Sequence, residues 1–159
     1  MDASGKAFEL ALVVLQAFQV GLLWIHDWVP LGRLNDVRAV QSQDTRLRLV
    51  IVTLVQSVPF SVLLYFSVRD FGHHYPHDLL MWLWIAYGLS IFGYLRAWWV
   101  PYLWHIDAEK AARYEVMFGK THAFLPKHNG ITLNTLHMMF NVTTVGVLLV
   151  LLAPAFRMP

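Results

Sequence analysis

LRLVIVTLVQSVPFSVLLYFSV, residues 47–68, carries a single charge, Arg48, over its whole length. At 1.5 Å per residue a helix of that length reaches about 33 Å, enough to cross the hydrocarbon core of a bilayer. An open strand is excluded there, because its edge N–H and C=O groups would find no partner in lipid. The segment therefore reads as a membrane-spanning helix.

Three further apolar runs flank it: 7–29, 79–104 and 133–153. The composition agrees with them. The chain has 159 residues, 57% of them hydrophobic, with only 14% charged and seven Trp. Soluble domains carry roughly 25% charged residues, so this balance belongs to the membrane class. The expected fold is all-α: four transmembrane helices in one bundle, a single domain over 1–159 with no separate soluble domain. A net charge of +2 gives no basis for nucleic-acid binding. With no Cys, thiolate catalysis, disulfides and cysteine-held metal clusters are excluded. The first run is expected to remain as a span. It has acidic Glu9 at its start, exceeds an ordinary signal h-region and lacks a small-x-small site after it.

Lys and Arg set the expected orientation. Segments 30–48 and 105–132 hold Arg33, Arg38, Arg46, Arg48, Lys110, Arg113, Lys120 and Lys127, whereas the other end has Lys6, Arg69 and Arg157. The positive-inside rule places those two connections in the cytoplasm and both termini outside. Trp24, Trp28, Trp98, Trp99 and Trp104 then fall at the cytoplasmic interface as an aromatic belt. The outer loop FGHHYPHD, 71–78, is expected to hold solvated histidines.

The long connection before the last run predicts its own helix at about 107–118. Asp107 is the candidate N-cap, Ala111, Tyr114 and Phe118 form an apolar stripe, and Gly119 with Lys120 reads as the stop. This helix is expected to lie on the membrane surface. Pro126 and Asn129-Gly130 should turn the chain, and Thr132 or Asn134 should cap the last span.

Each span carries a polar stripe at helical period: Glu9, Gln16, Gln19, His26 and Asp27 on the first; Thr53, Gln56 and Ser57 on the second; Tyr87, Ser90 and Tyr94 on the third; Asn134, His137, Asn141 and Thr144 on the fourth. Polar groups facing lipid are costly, so these stripes should face one another. Their richest end is cytoplasmic, where His105, Asp107 and His128 also lie. The candidate binding residues are His26, Asp27, Asn35, Asp36, Arg113, Glu115, His122, Asn134, His137 and Asn141. Three function classes follow. The first is binding of an amphiphilic small molecule or a lipid headgroup in a cleft at that end. The second is membrane-embedded catalysis by His and carboxylate groups, with a metal or a haem between His26 and His137 as variants, although no metal-motif spacing is present. The third is an accessory subunit whose stripes hold helices together, as a homo-oligomer or within a larger membrane complex.

Overall fold

The computed structural model describes residues 3–104, 108–153 and 156, and has no strand among them. His105, Asp107 and Arg157 lie outside the described residues. Helix α1 spans Ala3–Ile25, short α2 Val37–Ser42, α3 Arg46–Arg69, α4 His77–Tyr94, α5 Val100–Leu103, α6 Ala108–Phe118 and α7 Thr135–Leu151. Three helices are long and apolar enough to cross a membrane: Ser4–Ile25, Arg46–Arg69 and His77–Leu103. The last expected span, 133–153, is an apolar helix of only 17 residues. That length corresponds to about 25 Å, short of the roughly 30 Å hydrocarbon core.

The shortening has a local cause. Residues 131–134 are buried but not helical, and Asn134 ends them by accepting the His137 N–H at 3.0 Å on its side-chain oxygen. Of the two caps considered, Asn134 is the one used.

The packing closes a ring of neighbours. Helix α1 lies against α3 and α7, and α4 lies against α7 and α3. Gly146 of α7 allows one of these approaches, since a Cβ there would meet Leu15 at 3.3 Å. The polar stripes turn inward. Glu9, Gln16, Gln19, His26, Thr53, Ser57, Tyr87, Asn134 and Thr144 are buried, and Gln19 donates to Thr144 at 3.2 Å. Gln56 is the exception. It is exposed on α3 and belongs to a groove described below. His73, His74 and His77 are exposed.

The third run is not one uniform helix. A π-helical stretch, Leu95–Trp99, separates α4 from α5, and Pro101 lies in the first turn after it. Pro101 has no N–H, so in α-helical register the Ala97 carbonyl loses its partner. Tyr114 of α6 supplies one, its hydroxyl donating to Ala97 O at 2.9 Å. Trp98 is thereby covered rather than interfacial. It is 6% exposed and packs on Tyr114 and Phe118 at 5.0 and 4.9 Å between ring centroids. The aromatic-belt expectation fails for this residue, whereas Trp104 stays 63% exposed.

Helix α6 thus turns its apolar stripe onto the other helices, with Met117 and Phe118 buried. Beyond it, His128 and Ile131 exchange backbone hydrogen bonds of 3.1 and 2.9 Å across Asn129-Gly130. Both turn residues have positive φ, 49° and 78°. This is the geometry that Asn-Gly favours in a two-residue turn.

Candidate functional site

His26 stands where α1 ends. Its Nδ1 lies 3.1 Å from the carbonyls of Leu22 and Leu23 and donates to them, which turns Nε2 toward Asp27 Oδ2 at 3.3 Å. Burial pushes the Asp27 carboxyl above its ordinary range; His26 pulls it down and Asp44 pushes it further up. With one nitrogen already committed as a donor, a hydrogen bond between Nε2 and Asp27 needs a further proton on one of the pair.

His137 approaches from α7, its ring 6.5 Å from that of His26 and edge-on to it. Trp98 covers it at 4.0 Å, with Phe118 at 5.1 Å and Phe140 at 6.2 Å. Its Nδ1 donates to Asn134 Oδ1 at 2.5 Å. His26 and His137 therefore lie ring against ring, with Asp27 beside the first and Asn134 beside the second. The surroundings of His137 are packed rings, while Asp27 and His137 each keep part of their surface exposed. Among the described residues no group of three or more His, Asp or Glu is arranged to hold a metal ion.

The other candidates divide into fastenings and surface pairs. Asn35 clamps the turn after α1, donating to His26 O at 2.6 Å and Val29 O at 2.9 Å while accepting from Leu31 N at 2.7 Å. Asn141 donates to His137 O at 2.6 Å and accepts from Trp99 at 3.2 Å. His122 bonds Thr135 Oγ1 at 2.6 Å, and its backbone N–H donates to Arg33 O at 2.7 Å. Asp36 caps α2 through Ala39 N at 3.0 Å. Glu115 pairs with Lys127 on the surface at 2.6 Å.

Arg113 leads to the open feature. It meets Asp44 at 2.7 Å, and Asp44 also meets Arg48 at 2.7 Å. This three-way ion pair lines a groove of about 860 Å³ between α3 and α6. Val52, Trp98, Tyr114, Met117 and Phe118 provide apolar wall, and Gln43, Gln56, Glu109 and Lys110 provide polar rim. A charged cluster beside an aromatic wall suits a molecule with a polar head and an apolar body. Of the candidates read from the sequence, only Arg113 lines this groove. Asp44 and Arg48 were missed. Their i, i+4 spacing was visible, but Asp44 and Arg113 are 69 residues apart and no periodicity links them.

No protein-family model, curated protein or solved structure matches the chain.

Proposed function

We propose that the protein is a four-span membrane protein that binds an amphiphile, a small molecule or a lipid headgroup with part of its tail, in the groove between α3 and α6. The observation that carries this reading is the Arg48–Asp44–Arg113 cluster in the lining of an aromatic-walled groove. The cluster presents both charge signs, which suits a zwitterionic head. The Lys and Arg bias supports a cytoplasmic location for this end and an outer location for both termini. Helix α7 completes the fourth crossing, within the 17–25 residue range of membrane helices, and its neighbours α1 and α4 support it.

Titration of the purified protein in neutral detergent with lysophosphatidylcholine tests the reading. Arg113→Gln removes one arm of the ion-pair cluster, and Val116→Trp fills the groove from a half-exposed position. Each is expected to weaken binding about tenfold, the scale of one charge-assisted hydrogen bond or a blocked apolar contact. Unchanged affinity in both variants would contradict the groove as the site.

A membrane-embedded enzyme is a second reading, favoured by one observation: His26 and Asp27 are in hydrogen-bond reach, and Asp44 of the groove influences Asp27. It requires turnover of the bound molecule to vanish in His26→Gln while lysophosphatidylcholine binding persists.

A further inference from the structure

A second groove lies on the same end of the molecule, between the turn after α1 and the chain leaving α6. The His122 N–H donates to Arg33 O at 2.7 Å, and Asn134 Nδ2 donates to Leu34 O at 3.4 Å. These bonds stitch two segments that are about ninety residues apart. They bring Arg33, Arg38 and Lys120 around one cavity of about 420 Å³.

The charges there are unbalanced. Arg33, Arg38 and Lys120 are exposed, and none is in an ion pair with a carboxylate among the described residues. Asp36 is the one carboxylate in the lining, and its Oδ1 already caps α2. On the same end, Arg48 and Arg113 share Asp44, and Lys127 has Glu115. Three cations held around one cavity repel one another unless an anion sits between them. Two guanidinium forks and an ammonium match the oxygens of a tetrahedral oxyanion, which guanidinium grips in pairs.

We propose that this groove is a binding site for a phosphate group, presented either by an anionic lipid headgroup or by a soluble phosphoester. It is separate from the α3–α6 groove and shares no lining residue with it. The turn 30–36 follows α1 directly, which puts the cations at headgroup depth.

The test uses the full chain in neutral detergent at constant ionic strength. It is titrated in turn with inorganic phosphate, glycerol 3-phosphate and a short-chain phosphatidate, with chloride as the reference. Phosphate-bearing probes are expected to bind and chloride to leave the melting temperature unchanged. Phosphatidate binding far more tightly than the soluble probes assigns the group to a lipid; equal affinities assign it to a soluble phosphoester. Arg33→Gln, Arg38→Gln and Lys120→Gln are each expected to weaken binding about threefold, and the triple variant about tenfold or more. Arg46→Gln, an exposed cation outside the groove, should change it less than about twofold. Arg113→Gln should leave phosphate binding unchanged, which separates failure here from failure of the amphiphile reading. Affinity retained in the triple variant, or stabilisation by chloride equal to that by phosphate, would overturn the proposal.

Discussion

Asp27 is the residue whose surroundings make the most specific demand. Its carboxyl is held above the ordinary range by burial and by Asp44, against the pull of His26. A folded state that raises an acid's pKa binds the proton more tightly than the unfolded chain. Stability from this group is therefore fully present below about pH 3.8 and declines as pH rises through the folded value. Near pH 7 the buried charge is a net cost. Asp27→Asn should thus raise the melting temperature in detergent at pH 7, and the gain should shrink toward pH 4. A difference that stays constant over that range would mean that Asp27 is well solvated. Trp98 makes a plainer demand. At 6% exposure, packed on Tyr114, Phe118 and His137, its truncation to Ala should cost about 3–5 kcal/mol. Trp104→Ala, at 63% exposure, should stay within about 0.5 kcal/mol in the same denaturation assay.

At the scale of elements, the informative join is between α6 and the π-helical stretch. Tyr114 bonds the carbonyl that Pro101 leaves free in α-helical register. Tyr114→Phe should cost about 1–3 kcal/mol by leaving Ala97 O unpaired. In a Pro101→Ala background the restored N–H can serve that carbonyl, so the same substitution should cost measurably less. Equal costs in the two backgrounds would show that the two residues are not coupled. This join also marks where the sequence stops being legible. A regular 100° step per residue placed Glu9, Gln16, Gln19, Thr53, Ser57, Tyr87 and Thr144 in the interior correctly. A π-turn uses more residues per turn and shifts the phase of everything after it. Trp98 read as an interfacial anchor because its place at the end of the third run sets depth alone, and nothing local shows that α6 folds back over it. Local turn chemistry was legible where it depended on a few adjacent residues, as at Asn129-Gly130 and the Asn134 cap. The Asp44–Arg113 pair joins distant segments and left no local trace. The approach of His26 to His137 was readable from depth and phase, but the aromatic rings packed on His137 were not, because they come from distant segments.

At the scale of the whole molecule, three helices are long and apolar enough to cross a membrane, and α7 is the proposed fourth crossing. The absence of Cys makes the crossings accessible to single-cysteine labelling. With a membrane-impermeant thiol reagent on intact cells, His74→Cys and Leu152→Cys should label and Lys127→Cys should react only after permeabilisation. Labelling of Leu152→Cys and Lys127→Cys from the same side would mean that α7 does not cross. The groove itself is tested most directly by native mass spectrometry of the protein extracted from its own membrane in mild detergent. One retained amphiphile per chain is expected in the unaltered protein. That adduct should be lost in the Arg113→Gln/Val116→Trp double variant at an unchanged melting temperature. An adduct of the same mass and occupancy in both proteins would contradict that site.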